Sequence, residues 1–353
     1  MAAATAKPEP DPNALPIWSN KLKKPETYRS RRMAPEPVSL IPRPADIDMD
    51  IIREMYHSRA VTIAGMDPRL NATRIAERLG VSRARVDARM KEWTRHGLLR
   101  RFDVWPNPAL FDRIGATVDV RVRDRFEKED VLSRVRLIDG AVGGGDFVGE
   151  WITVQFIVPR EADAQRTAKL LRELSGVAEV SPPVPWIRLE PKRPLSALDL
   201  RIIRVLRKYP TERLSTIARH VGISTRTMTT RYGRLVEDLE VWFVPVLDFR
   251  ALAQPVLAVN LGLREGADPT LLSHAVRKNF PQSLEFLRAP FGPALPERTR
   301  VYFLLIPSTA RVEDAERTLR SLPGVETSEA LLMIRMFSFP EAFDRLLAEE
   351  RRR

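Results

Sequence analysis

One unit is written twice in this chain of 353 residues, and the duplication restricts the fold more than any other feature. The segment Ile75-Ala76-Glu77-Arg78-Leu79-Gly80-Val81-Ser82 returns 142 residues later as Ile217-Ala218-Arg219-His220-Val221-Gly222-Ile223-Ser224. The same offset aligns Val86 with Met228 and Arg89 with Arg231. Upstream, Asp50-Ile51-Ile52-Arg53 resembles Arg201-Ile202-Ile203-Arg204. At an offset of 148, Phe156-Ile157-Val158-Pro159 matches Leu304-Leu305-Ile306-Pro307, and Leu171-Arg172-Glu173-Leu174-Ser175-Gly176-Val177 matches Leu319-Arg320-Ser321-Leu322-Pro323-Gly324-Val325. Two copies of a unit of roughly 145 residues therefore fill 46–340, joined by a stretch rich in proline (Pro182, Pro183, Pro185, Pro191, Pro194).

Each copy divides into a helical first half and a mixed second half. In the first copy, apolar spacing predicts helices over Asp48–Tyr56 and Thr73–Leu79. A tight turn at Gly80-Val81 leads to a third helix, from the N-cap Ser82 to about His96, which Gly97 closes. A wing hairpin is predicted around Leu98–Trp105. Next come strand Ile114–Arg123, helix Lys128–Arg136, a short strand ended or bent by Gly143-Gly144-Gly145, strand Trp151–Val158, helix Asp163–Leu174 and a strand within Val177–Ile187. The second copy repeats this order with strand Val256–Leu263, helix Pro269–Lys278, strands Leu284–Leu287 and Val301–Ile306, helix Val312–Ser321 and strand Thr327–Arg335.

The expected fold class is therefore α+β, with two winged helix-turn-helix domains alternating with two ferredoxin-like βαββαβ domains. Boundaries are expected at 46–112 and 113–190 in the first copy. In the second they fall at 191–250, which includes the linker, and 251–340, before a charged C-terminal helix at 341–353. Residues 1–45, with nine prolines and a net charge of +4, read as a disordered basic tail.

Charge points to the helix-turn-helix segments. Lys+Arg 58 against Asp+Glu 46 gives +12 overall, but residues 74–101 alone carry +6 and 201–235 carry +8. With the tail's +4, this leaves the remainder at −6, so the excess is patched rather than spread. A helix-turn-helix offers its last helix to the major groove, which is about 12 Å wide and admits one α-helix. On the first such helix Val86, Met90 and Trp93 form a core face, opposite Ala84, Ala88, Lys91 and Arg95, with Arg85 at the edge. On the second Met228, Tyr232 and Leu235 face the core. Arginine can bond guanine bidentately, and threonine can bond phosphate or touch a thymine methyl. The candidate DNA contacts are Ser82, Arg83, Arg85, Lys91, Arg95, Arg100 and Arg101 in the first copy. In the second they are Ser224, Thr225, Arg226, Thr227, Thr230 and Arg234. Arg89 and Arg231 border the core face, where a buried-edge ion pair outweighs base contact. In the second copy Glu240-Val241-Trp242-Phe243 replaces the basic wing, which weakens DNA contact there or hands that edge to a protein surface.

Other classes are set aside. Cysteine is absent, which removes disulfides, thiolate nucleophiles and zinc–cysteine sites. No uncharged apolar run reaches the ~18 residues of a membrane span, and no secretory signal is read at the N-terminus. His57, His96, His220 and His274 have no metal-ligand spacing, and no Gly-x-Ser-x-Gly elbow or other catalytic signature is present. No cofactor and no metal are expected, and the location expected is cytoplasmic.

Taken together, the Asp50-Ile51-Ile52-Arg53 segment, the Ile-Ala-x-x-[Leu/Val]-Gly-[Val/Ile]-Ser motif and the Arg seven residues past its Ser resemble the Lrp/AsnC transcription regulators, over 46–190 and again over 196–340. The resemblance implies a winged helix followed by an effector and oligomerisation domain. It also implies double-stranded DNA as a partner, a small-molecule effector such as an amino acid, and either a homo-oligomer or, with two fused copies, an intrachain pseudo-dimer. Gly145-Asp146 and Gly149-Glu150 stand near the family's effector loop, but neither is assigned to an effector. The chain is also similar to the siroheme decarboxylases, which resemble the same regulators and occur as fused two-copy chains; Leu99-Arg100-Arg101-Phe102 is similar to their Arg-Arg segment. Strand Ile114–Arg123 lacks their histidine. The function expected is a sequence-specific DNA-binding transcription regulator and not an enzyme. The alternatives are a siroheme decarboxylase-like tetrapyrrole enzyme, an architectural nonspecific DNA binder, or helix-turn-helix units that dock proteins.

Overall fold

Ser82 and Ser224 begin their helices in the same way. Each sits in extended backbone (φ −73°, ψ 144° and φ −67°, ψ 150°) and turns its hydroxyl back onto a helical N–H, that of Arg85 and Thr227 respectively. The computed structural model describes residues 47, 48, 50, 51, 72–186, 188–281, 283–286 and 299–350. The tail at 1–45, most of the first predicted helix, and His57 lie outside them. Ile47, Asp48, Asp50 and Ile51 are helical. They are followed by α1 (Ala72–Leu79) and α2 (Arg83–His96), the latter closed by Gly97 in the left-handed conformation at φ 79°. The second copy gives α5 (Ala197–Lys208), α6 (Leu214–Val221) and α7 (Thr225–Glu237).

The mixed halves are two βαββαβ units. The first holds β2 (Ile114–Val122), α3 (Lys128–Val135), β3 (Ala141–Phe147), β4 (Trp151–Val158), α4 (Glu161–Glu173) and β5 (Val177–Val180), with the short β6 (Val184–Pro185) beside β2. The second holds β8 (Val256–Leu263), α8 (Pro269–Asn279), β9 (Ser283–Phe286), β10 (Thr299–Leu305), α9 (Val312–Arg320) and β11 (Val325–Ser338). Their strands join into one sheet in the order β5-β2-β4-β3-β11-β8-β10-β9. The seam is antiparallel pairing of β3 with the end of β11, from Gly143 opposite Ser338 to Phe147 opposite Met333. The glycines of β3 permit this closeness: a Cβ on Gly144 would lie 1.8 Å from the Thr153 carbonyl oxygen and 2.8 Å from Phe337. The glycine stretch is thus strand interior, not a strand end.

The expected wing hairpin at Leu98–Trp105 does not form. Instead β1 (Leu99–Pro106) pairs antiparallel with β7 (Val241–Leu247), from Leu99 opposite Leu247 to Pro106 opposite Val241. The wing strand of one copy is completed by the wing strand of the other. One apolar core accordingly serves both helix-turn-helix units, with Ile75, Val86, Trp93 and Trp105 from the first and Ile203, Met228, Leu235 and Trp242 from the second. Each βαββαβ unit keeps its own core between sheet and helices.

The C-terminal α10 (Glu341–Glu350) ties these parts together. It buries Phe343, Leu346 and Leu347 in the shared core, and Phe343 packs 5.6 Å from the Trp105 ring. Arg207 of α5, nearly inaccessible, donates to the carbonyls of Val104 and Pro340 and to Asp344, and Arg204 donates to the Leu347 carbonyl. On the other side Glu341 meets Arg136, and Arg345 meets Asp139.

Candidate nucleic-acid interface

The two helices α2 and α7 are anchored by one buried carboxylate each. Asp48, 2% exposed, accepts from Arg89 Nε at 2.7 Å and from Trp93 Nε1 at 3.0 Å. Asp199, 1% exposed, takes Arg231 at 3.1 Å and Arg234 at 2.6 Å, and completes a capping box with Ser196. Burial pushes the Asp199 carboxyl up, but Arg234 and Ser196 outweigh it and bring it down to about 2. Arg89 and Arg231 therefore hold the first helix of each unit against the third, and their faces fix which side chains point outward.

On α2 the outward set is Arg83, Ala84, Arg85, Ala88, Lys91 and Arg95, all exposed. Arg83 is paired with Asp87 at 3.3 Å and Arg95 with Glu92 at 3.4 Å, both at the solvent surface. Among the described residues, Arg85 and Lys91 have no ion-pair partner. Their cations stand beside two methyl side chains, a surface that admits close approach of a base edge. On α7, Thr225, Arg226, Thr227, Thr229 and Thr230 are exposed. The Thr227 hydroxyl lies 2.9 Å from that of Ser224, and Thr229 Oγ1 donates to the Thr225 carbonyl. Arg226 has no ion-pair partner among the described residues. The exposed Arg213 and Arg219 of the second unit add to this surface and were not singled out from the sequence; their positions just before and within α6 were the available signal.

One expected contact faces inward, and two are held by neighbouring acids. Arg234 faces inward, 17% exposed at its side chain, against Asp199 and Glu240, because it lies three residues beyond Arg231 on the same helical edge. Arg100 Nη2 donates to Asp248 at 2.9 Å, and Arg101 is held by Asp103 at 2.9 Å and by the Ser338 carbonyl. Both lie on β1, whose backbone pairs with β7, and their side chains stay about half exposed, at 56% and 48%. Asp248 also binds Arg250; burial raises its carboxyl, and the two arginines outweigh that and bring it to about 2. Glu240, which opens the second wing expected to weaken DNA contact or turn to a protein surface, is fully buried, and β7 beside it pairs with β1.

The residues considered near an effector loop are engaged elsewhere. Asp146 is buried in β3, bound by Lys128 Nζ at 2.9 Å and Arg335 Nε at 3.3 Å. Glu150 stands 3.7 Å from Arg121. Of the histidines, His220 stacks on Tyr209 with centroids 4.6 Å apart, His96 lies 3.8 Å from Glu92, and His274 is exposed on α8. Among the described residues no cluster of His, Asp and Glu could hold a metal ion, and no helix is long and apolar enough to cross a membrane.

No family model matches the chain, and no curated protein matches it. Solved structures do. The siroheme decarboxylase NirDL is similar over 87% of this chain and 100% of its own, at 14% identity and a TM-score of 0.46. The same enzyme in complex with an iron-uroporphyrin III analogue covers 86% of this chain and 99% of its own, at 14% identity and 0.46. AsnC of E. coli is similar over 43% of this chain and 97% of its own, at 15% identity and 0.27. The expectation that the chain is not an enzyme is withdrawn, since two solved chains similar over 87% and 86% of it are those of a siroheme decarboxylase. The architecture itself is a helix-turn-helix followed by a ferredoxin-like βαββαβ domain, present twice.

Proposed function

We propose that the chain binds double-stranded DNA through α2 and α7 and acts as a sequence-specific transcription regulator. One observation carries this. Two capped helices, each pinned from behind by an arginine on a buried aspartate, turn outward cations that have no ion-pair partner among the described residues: Arg85 and Lys91 on one, Arg226 on the other. Such a side chain costs nothing to release from an internal partner when it meets phosphate or guanine. The intrachain pairing of β1 with β7 supports a pseudo-dimer that brings both helices in one polypeptide.

The test is binding of the full chain to genomic duplex fragments over a range of salt. Arg85→Ala should weaken binding to the preferred fragment by about 1–3 kcal/mol if it reads a base, while Lys91→Ala should lower the salt slope by about one. Equal affinity for all fragments would reduce the role to an architectural binder. Anaerobic incubation with siroheme tests the tetrapyrrole alternative, and a decarboxylated product would displace DNA binding as the primary role.

A further inference from the structure

We infer that one chain recognises a non-palindromic duplex built of two unlike half-sites, α2 reading one and α7 the other. The inference rests on the DNA-binding reading above and goes further by naming the class of site.

The argument begins with what the two helices share. At the offset of 142, Ser82 and Ser224 are both N-caps, and Val86 with Met228, Met90 with Tyr232, and Trp93 with Leu235 are all buried. Arg89 and Arg231 are both tied to the aspartate of their unit's first helix. Each helix also runs directly into one strand of the same two-stranded sheet, α2 into β1 and α7 into β7. The two frames are therefore equivalent, and equivalent positions project in equivalent directions.

The outward positions share nothing. Ala84 corresponds to Arg226, Arg85 to Thr227, Ala88 to Thr230, Lys91 to Gly233 and Arg95 to Glu237. Each pair differs in charge, size or hydrogen-bonding capacity. The principal arginine is displaced by one position between the helices. One residue is about 100° of rotation and 1.5 Å of rise, so its guanidinium meets a different part of the groove. Charge differs as well. Arg85, Lys91 and Arg95 make the α2 face cationic, whereas on α7 the single Arg226 is offset by Glu237 and flanked by threonine hydroxyls and methyls. The first face suits guanine and phosphate; the second suits one guanine with thymine methyls nearby. Two identical helices related by a two-fold axis read a palindrome. Two unlike helices on one pseudo-two-fold frame read two different sequences.

The experiment is selection of the full chain on a randomised duplex library, followed by footprinting. The expected result is two motifs at fixed spacing that are not inverted repeats. Arg85→Ala should flatten base preference in one motif by about tenfold, and Arg226→Ala should do the same in the other only. Both residues are exposed and have no ion-pair partner among the described residues, so folding is not at risk. A second variant reverses the logic. Thr225→Arg, Arg226→Ala, Thr227→Arg, Thr230→Ala, Gly233→Lys and Glu237→Arg together give α7 the outward face of α2, and Gly233 has open space for a side chain. That variant should select a site closer to an inverted repeat. A two-fold symmetric site for the unaltered chain, or both single variants acting on the same motif, overturns the inference while leaving DNA binding intact. Failure of any duplex to be enriched over random DNA removes the DNA-binding reading itself.

Discussion

At the scale of single residues, arginines in this chain divide into those that build and those that face outward. Asp48 is the builder's counterpart in the first unit, holding Arg89 and the Trp93 indole in a buried site. Asp48→Ala leaves the Arg89 guanidinium, 17% exposed at its side chain, without its main partner, and should cost about 3 kcal/mol or more in urea unfolding. Arg85→Ala should stay within about 0.5 kcal/mol of the parent. Asp199 adds a pH signature. Its carboxyl, ordinarily at 3.8, is brought to about 2 in the folded chain, so its stabilisation is present above pH 4 and is lost as pH falls from about 4 to about 2. The shift corresponds to about 2 kcal/mol. Unfolding midpoints of the parent should therefore fall through that window more steeply than those of Asp199→Asn. Glu240 has the opposite sign, since burial raises its carboxyl. The helical wheel was enough to place Arg89 and Arg231 on the core edge. It was equally able to place Arg234 there, since residues three apart share a face, but a basic residue near a helix end reads as a phosphate contact until its acid is located. The acids, Asp199 and Glu240, come from a preceding helix and from the turn before β7, and no local pattern shows them meeting.

At the scale of elements, helices and strands were legible and their partners were not. Apolar periodicity reports which face of a strand is buried, not which strand lies beside it. β1 was therefore read as half of a hairpin, although its partner begins at Val241. A hint was present: Phe102, Val104 and Trp105 lie in an almost unbroken buried run, as expected of a strand covered on both faces rather than a wing facing solvent. The β3–β11 seam was hidden for the same reason, though the glycines mark it. Gly144→Ala would force a methyl into the Thr153 carbonyl and the Phe337 ring, where neither can withdraw without opening the sheet. A loss of about 1–3 kcal/mol is expected, read as a lowered Tm. Gly233→Ala is the control: it is a helical glycine with nothing within 4 Å of the new Cβ. It should raise stability by about 0.5–1 kcal/mol.

At the scale of the whole molecule, the proposed DNA binding raises the question of what would make two helix-turn-helix units act as one reader. Two modules on a loose tether bind with an effective concentration set by the tether, whereas a rigid link holds the second helix at its site once the first is engaged. Three connections make the link rigid here: the β1–β7 pair, the shared core, and α10. The last joins the first sheet unit through Arg136 and Asp139 to the second unit's α5 through Arg204 and Arg207. Phe343 is its apolar anchor, fully buried against Trp105. Phe343→Ala should cost about 3–5 kcal/mol, because the ring's contacts are lost and the rigid surroundings close only partly over the cavity. Its effect on DNA follows from the rigidity rather than from any contact. Neither α2 nor α7 is touched, so on the proposed reading affinity for a duplex carrying only one motif should hold nearly steady. Affinity for the complete site should fall, as the two helices no longer arrive at a fixed spacing. Titration of both duplexes with the parent and with Phe343→Ala, at a temperature where both remain folded, separates the two effects. An equal loss on both duplexes would place the damage in the helices themselves and not in the frame that spaces them.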